Sequence, residues 1–150
     1  MADLPETTRL ALPLLTAGQA QKEITHNEAL TLVDALLFPM VEATGLNTPP
    51  SAPVTGQCWL VGTTPTGAWA GMAYKLALWT SAGWRFAALP QGARVAVGSN
   101  WKQWNRSASG WQAPPSVAAP AGGITVDGEC RAALIALIQA LRVAGLIADT

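Results

Sequence analysis

Residues 76–92 read LALWTSAGWRFAALPQG, two apolar runs that flank a Ser-Ala-Gly turn and end at Pro-Gln-Gly. Strand-forming residues on both sides of a short turn predict a β-hairpin. The segment WTSAGW at 79–84 holds a Trp on either side of its turn, and WNRSASGW at 104–111 repeats the arrangement. We therefore expect two hairpins in which aromatic pairs face each other across the strands, Trp79 with Trp84 and Trp104 with Trp111.

The same period of two continues on both sides of these hairpins and predicts six short strands. They are expected at about Gln57–Val61, Ala73–Trp79, Trp84–Leu89, Ala93–Val97, Trp101–Asn105 and Gly110–Ala113. Turn signals rich in Gly, Pro and Ser separate them. Short strands at this spacing favour a small antiparallel barrel or sandwich.

A helix is expected before the strands, from a cap at Thr16, with Gln19 as its capping-box partner, to about Leu37, before Pro39. Ala20, Glu23, Asn27, Thr31 and Asp34 form a polar stripe along it at helical spacing. The second half of the helix is apolar on nearly every other side. A helix of that kind has to be buried on all sides, in a core or between subunits.

A second, shorter helix is expected near the C-terminus, with Asp127 as its N-cap and Gly145 just after its end. Its apolar residues recur at spacings of 4, 3, 4 and 3: Cys130, Leu134, Leu137, Leu141 and Ala144. We call these five positions the seam. A seam of this spacing can pack within the chain or form the centre of a small oligomer.

These elements predict an α+β fold with an N-terminal helix, a small antiparallel β barrel or sandwich and a short C-terminal helix. The expected domains are a helical anchor at 1–46, a β module at 47–113 and a linker with the C-terminal helix at 114–150. The module starts with the Pro-rich connector Asn47–Val54. Cys58 and Cys130 are too few and too far apart for a disulfide scaffold or a zinc site, and both are expected to be buried.

Charge is strongly segregated along the chain. Ala43–Val126 contains no Asp or Glu but five bases and all seven Trp residues, which makes it +5. Residues 1–42 carry two bases and six acids (−4), and residues 127–150 carry two bases and three acids (−1). A segment without carboxylates cannot supply the paired acids of a glycosidase or a carboxylate general base. We expect no catalytic residues, no metal ligands and no cofactor, and a chain that binds and does not turn over a substrate.

The phrase LPLLTAGQAQKEITHNEALTLVDALL at 12–37, followed by GQCWLVGTTPTGAWAG and LALWTSAGWRFAALPQG, resembles a known family of phage-derived domains. They occur in tail-fibre proteins and in the head spikes of alphaproteobacterial gene transfer agents. The resemblance covers roughly residues 10–112. It implies a virion structural protein, made in the bacterial cytoplasm, that forms an oligomeric base or adaptor of a fibre or spike used in host attachment. It carries over no catalytic residue.

Two interaction surfaces are predicted. The oligomer interface is expected at Leu30, Val33, Leu37, Leu134, Leu137 and Leu141, because only 12% of the residues are charged while half are hydrophobic. A trimer is favoured and a pentamer is the other option. Further partners are other virion proteins of the capsid, tail or fibre.

The second surface is a candidate contact for acidic bacterial glycans, formed by Arg85, Lys102, Arg106, Trp84 and Trp104. Its bases lie next to Trp residues, so that stacking and charge would act together. The alternatives are that the bases only keep the strands soluble, and that the chain is a small carbohydrate-binding module and not an adaptor. The bases are not clustered as in nucleic-acid-binding proteins, and no apolar run reaches the length of a membrane span. We expect neither nucleic acid nor membrane insertion.

Overall fold

The structure, a computed structural model, describes residues 5–16, 22–99, 101–124 and 127–148. The chain forms two compact units, Met1–Leu89 and Pro90–Thr150. The boundary between them falls inside the segment 47–113 that was expected to be one β module.

The described residues form two helices and eight strands, which confirms the α+β fold with its N-terminal and C-terminal helices. The first unit contains α1 (Lys22–Leu37), β1 (Met40–Val41), β2 (Thr44–Leu46), β3 (Cys58–Val61), a 3₁₀ turn (Gly67–Trp69), β4 (Leu76–Thr80) and β5 (Gly83–Ala87). The second contains β6 (Arg94–Val97), β7 (Lys102–Ser107), β8 (Gly110–Gln112) and α2 (Gly128–Val143).

All six predicted strands are present with small shifts at their ends, as β3 to β8. The two short strands β1 and β2 were not predicted. Among the described residues the strands close no barrel. The pairs β3–β4, β4–β5, β6–β7 and β7–β8 are antiparallel as expected, whereas the unpredicted β2 runs parallel to β3, with Thr44 opposite Leu60.

The sheet of the first unit has the order β2-β3-β4-β5 and two distinct faces. The register aligns Trp59, Ala77 and Phe86 across three strands, and these residues share a face with Trp79 and Trp84. The other face carries Cys58, Leu78 and Arg85 in one row and Leu60, Leu76 and Ala87 in the next. We call the first the Trp face and the second the helix face, because Arg85 on it pairs with Glu28 of α1.

Helix α1 ends at Leu37 as predicted, but its polar stripe faces the protein. Asp34 is only 3% exposed, whereas Val33 is 43% and Leu37 62% exposed. The expectation that the apolar second half is buried on every side is therefore wrong within this chain. The predicted capping box of Thr16 and Gln19 involves residues 17–21, which lie outside the described part of the chain.

Residues 5–16 form a short looped segment, the strap, that lies along the polar stripe of α1. The strap is closed on itself by Thr7, whose backbone N–H donates to Leu12 O (2.9 Å) and whose hydroxyl accepts from Leu12 N (2.9 Å). Leu14 N also donates to Pro5 O (2.7 Å) within the strap, whereas the backbone groups of Arg9, Leu10 and Leu15 bond side chains of α1. A loop without a ladder needs such partners, since buried backbone N–H groups are almost always paired.

The second unit holds its helix through the helix ends. The Asp127 side chain accepts a hydrogen bond from Cys130 N (2.9 Å), as the predicted N-cap should. At the other end Gly145 N donates to Arg142 O (2.9 Å) and Leu146 N to Leu141 O (3.0 Å), the two bonds of a Schellman motif. Both predicted helix ends are confirmed.

The second hairpin pairs differently from the prediction. Its register places Ser107 opposite Gly110 and Arg106 opposite Trp111, and Trp104 lies opposite Val95 on the neighbouring strand. The expected Trp104–Trp111 pair is therefore wrong, whereas Trp79 does face Trp84.

The physical reason is the turn. In both hairpins a hydroxyl closes the turn by bonding the carbonyl of a glycine three residues later: Thr80 Oγ1 donates to Gly83 O (2.7 Å) and Ser107 Oγ to Gly110 O (2.9 Å). The cross-strand pair next to this hydrogen bond is Trp79 and Trp84 in the first hairpin. In the second it is Arg106 and Trp111, because two extra residues separate Trp104 from the turn.

The C-terminal glycine of α2 yields a stability prediction with an internal control. Gly145 has φ +71°, and a Cβ there would lie 2.3 Å from Trp101 O. Gly122 has the same φ, but open space around its Cα. Gly122→Ala should cost about 1–2 kcal/mol from the left-handed backbone alone. Gly145→Ala should cost roughly 1–3 kcal/mol more through overpacking. Urea denaturation measures both, and equal losses would contradict the predicted contact.

Candidate functional site

A groove of about 310 Å³ lies in the first unit between α1, the strap and the tip of the β4–β5 hairpin. Among the described residues it is lined by Leu14, Ile24, Asn27, Glu28, Thr31, Thr80, Ser81, Ala82 and Arg85. The volume is near the lower end of the range of about 300–1,000 Å³ for small-molecule sites. None of these residues except Arg85 belongs to the predicted glycan surface.

Arg85 and Glu28 face each other in the groove. Arg85 Nη2 donates to Glu28 Oε1 at 2.7 Å, and the side chains are 34% and 49% exposed. A pair this open to solvent is screened and contributes little to stability. Arg85 Nη1 also donates to the carbonyl oxygen of Trp84 (3.2 Å). The predicted glycan contact Arg85 thus already has two partners, one of them a carboxylate.

The back of the groove is fixed by side chains that hold the strap. Asn27 accepts from Leu15 N and donates to Leu15 O, both at 2.9 Å. Asp34, two helical turns further along α1, accepts from Arg9 N (2.9 Å) and Leu10 N (2.7 Å). Arg9 Nη1 in turn donates to Ala35 O (3.1 Å). Asn27 of the HNEAL phrase thus holds the strap against α1, and the surface of the groove next to it is preorganised. We call the bonds of Asn27 and Asp34 to the strap the lock.

The outer edge of β5 lies beside this groove. Trp79 N and O bond Gln57 O and Gly56 N, on the side of β3, so Trp79 and Trp84 are a non-hydrogen-bonded pair of the β4–β5 ladder. The N–H groups of Trp84 and Phe86 and the Phe86 carbonyl therefore point away from β4. Within the described ranges no strand pairs with this side of β5.

The Trp residues of the first unit are packed and do not form a flat platform. Trp84 contacts Trp79, Trp69 and Trp59 with ring centroids 4.9, 5.1 and 5.5 Å apart, all edge-to-face. Trp69 is fully buried. Since the ring of Trp84 is engaged by three neighbours, its role as a stacking surface for sugars loses its geometric basis.

Lys102, Trp104 and Arg106 share one face of β7 in the second unit, as alternate residues of a strand. Lys102 Nζ donates to Arg142 O (3.4 Å) and Ile147 O (3.3 Å) at the C-terminal end of α2. A cation there neutralises the partial negative charge of the helix end. Arg106 donates to Ser107 O, and Trp104 is half-buried. These predicted contacts lie together, but the two cations bond backbone carbonyls.

The seam of α2 is uncovered within the second unit. The helix contacts its own unit through Ile138, which is buried, and through Arg131 and Arg142, whose guanidinium groups donate to carbonyls of residues 117–122. Leu134 and Leu137 are 43% and 55% exposed and Leu141 is half-buried. Cys130 is also exposed, which corrects the expectation that both cysteines are buried.

Other chemistry is sparse in the described part of the chain. It contains no group of three or more His, Cys, Asp or Glu side chains placed to hold a metal ion. No described helix is long and apolar enough to cross a membrane. Burial raises the pKa of Cys58 to about 11, so at neutral pH this cysteine remains an unreactive thiol.

The lock between α1 and the strap can be tested at Asp34. Asp34→Ala removes two acceptors and leaves the N–H groups of Arg9 and Leu10 without partners, each at about 1–3 kcal/mol. We expect a loss of roughly 2–5 kcal/mol in chemical denaturation, with faster proteolysis in residues 5–16. Asp34→Asn keeps one acceptor and should lose about half as much. Wild-type stability in the alanine variant would refute the lock.

The Trp cluster makes a separate prediction. A fully buried Trp truncated to Ala costs about 3–5 kcal/mol, and half-buried Trp84 should fall at or just below the lower end. Trp84→Phe keeps an aromatic edge among its neighbours and should cost less than half of that. Thermal denaturation of the two variants measures these losses of stability. An unchanged melting temperature in Trp84→Ala would return this residue to the candidates for ligand stacking.

Residues 26–112 match a family described as a protein of unknown function, DUF2793. No curated protein matches the chain. The match starts in the HNEAL phrase of α1, continues through the groove and the Trp cluster, and ends with β8 at Gln112. Because it spans more than half of the 150 residues, the chain belongs to the DUF2793 family.

Proposed function

We propose that this protein is a non-enzymatic structural component of a virion, an oligomeric base or adaptor of a phage or gene-transfer-agent fibre or spike that serves host attachment. The observation that carries the proposal is the uncovered seam of α2. Its residues repeat at heptad spacing, and Leu134 and Leu137 stay exposed in the isolated chain. A heptad seam is complementary to the same seam on another copy, which supports a homo-oligomer.

The exposed side of α1 supports the same proposal. Its polar stripe binds the strap, so the side left to solvent carries Val33 and Leu37, with Leu30 half-buried beside them. Interfaces of obligate oligomers are larger and more apolar than those of transient complexes. The resemblance of the N-terminal phrase to tail-fibre and head-spike domains connects this assembly to a virion and to other virion proteins as partners.

The alternative is a carbohydrate-binding module for acidic bacterial surface glycans. It has less support, because Arg85 pairs with Glu28 and Lys102 bonds the end of α2. An acidic sugar would have to compete with these partners. Whole-cell binding that weakens steeply with salt, and fails in an Arg85/Lys102/Arg106 triple alanine variant, would favour this alternative over the adaptor.

The oligomer is tested by light scattering at micromolar concentration. We expect three times the chain mass of 15.6 kDa, or five times for a pentamer. Leu134→Glu with Leu137→Glu should reduce the mass to that of one chain, because charges cannot be buried unpaired in an apolar seam. Val143→Glu is the matched control, since Val143 is 77% exposed and lies on the opposite side of α2. A wild-type mass of one chain would overturn the proposal.

Cross-linking at Cys130 tests whether the α2 helices of neighbouring copies run parallel in the oligomer. The residue is exposed at the first seam position, whereas Cys58 is buried, so a short bismaleimide should react only at Cys130. Parallel helices bring these thiols together and give covalent dimers. Val143→Glu should retain the cross-link, and the double seam variant should lose it.

A further inference from the structure

We propose that β5 and the groove beside it bind an extended peptide segment of another protein, which adds to the sheet as a fifth strand. This deepens the proposed adaptor function by naming the chemistry of a partner. Its evidence lies entirely in the first unit and does not involve the seam. The assembly test and the peptide test can therefore fail independently.

The outer edge of β5 is unpaired within the described residues. The outward N–H groups of Trp84 and Phe86 and the Phe86 carbonyl have no hydrogen-bond partner in the part of the chain that the structure describes. A row of donors and acceptors at strand spacing is the binding surface for another main chain. Ala88, exposed just after β5, continues the same alternate series.

β5 lacks most of the features that usually protect a free edge. Natural sheets protect their edges with Pro, Lys, bulges or inward-pointing charges. β5 is a regular strand of five residues, GWRFA, paired with β4 at every position without a bulge. Its one charge, Arg85, is neutralised by Glu28. An edge of this kind is expected to have an occupant.

The groove contains hydrogen-bonding groups that the protein itself does not use. Arg85 uses two of its five N–H groups on the protein, and Glu28 Oε2 has no partner among the described residues. The 2.7 Å contact between Arg85 Nη2 and Glu28 Oε1 brings the remaining Arg85 N–H groups close to Glu28 Oε2. Such a set of donors and an acceptor matches an uncharged carboxamide, which accepts with its oxygen and donates with its nitrogen. The groove therefore fits an Asn or Gln side chain of the bound peptide. Leu14 and Ile24 provide apolar contact for its stem.

Charge selects between possible peptides. Arg85 and Glu28 are the only charged side chains that line the groove within the described ranges, and together they are neutral. A peptide with Glu at the groove position meets Glu28, and one with Lys meets Arg85. Each charged side chain is therefore repelled by one residue of the pair, whereas Gln can accept from Arg85 and donate to Glu28.

The experiment selects binders of the purified full chain from a displayed library of random heptapeptides. The enriched peptides are then synthesised, also with their Asn or Gln changed to Glu, and titrated. We expect enrichment of extended sequences with a central Asn or Gln. The amide protons of Trp84 and Phe86 should become protected from hydrogen exchange by NMR on binding. The Glu-substituted peptides should bind at least tenfold more weakly.

Three protein variants accompany this test. Ala88→Pro removes an outward N–H and should weaken binding at least tenfold, since Pro cannot donate to an added strand. Glu28→Gln leaves Arg85 uncompensated, so the Glu-substituted peptides should now bind as well as the originals or better. Arg94→Gln, at an exposed base on β6, should change nothing. Unchanged melting temperatures show that the variants are folded.

Specific results would overturn the proposal. They are no enrichment, or enriched peptides that leave Trp84 and Phe86 unprotected. Protection of these amides by protein concentration alone would assign the edge to β5 of a second copy. Displacement of the bound peptides by millimolar neutral hexose, with no selectivity between Gln and Glu, would assign the groove to a saccharide.

Discussion

The packing of Trp84 against three other indole rings is the contact on which the first unit depends. The four rings come from β3, the 3₁₀ turn, β4 and β5, and their edge-to-face contacts connect elements that are distant in sequence. With the Trp face fixed, alternation along β5 directs Arg85 to the opposite face. There it meets Glu28, and the groove lies between them. The Trp cluster and the candidate binding surface therefore lie on opposite faces of the same strand.

The middle of the chain contains no acids, and its net charge of +5 suggests a free cationic surface. The hydrogen bonds of its bases indicate a different role. A cation in such a segment has few carboxylates to bond, and the structure uses backbone carbonyls in their place. Lys102 binds carbonyls at the end of α2, and Arg131 and Arg142, in the helix that follows the acid-free segment, bind carbonyls within that segment. Such bonds are directional and satisfy orphan carbonyl oxygens. Lys102, Arg131 and Arg142 thus connect the helix to the rest of the second unit.

Local patterns predicted the parts of this fold that depend on local chemistry. The six strands, the Asp127 cap, the Gly145 end and the Trp79–Trp84 pair all follow from turns, caps and periodicity. The Trp104–Trp111 pair failed because the hydroxyl–glycine closure of the turn, and not the symmetry of the Trp residues, sets the register. The apolar second half of α1 was expected to be buried on every side, but Val33 and Leu37 are exposed. The strap, which packs on the polar stripe instead, has no periodicity that would have revealed it. The groove was not predicted, because its walls come together only when Glu28 pairs with Arg85, a contact between residues far apart in the sequence.

The hydrogen bonds around the groove also differ in how far they reach along the chain. The bonds between Asn27 and Leu15 and between Asp34 and Arg9 span 12 and 25 residues of the sequence. The Glu28–Arg85 pair spans 57 residues. Chains emerge from the ribosome from their N-terminus, and contacts of short range form first. The strap and α1 can therefore join while β4 and β5 are still being synthesised. The groove is completed last, when the hairpin docks on a helix that already carries its strap.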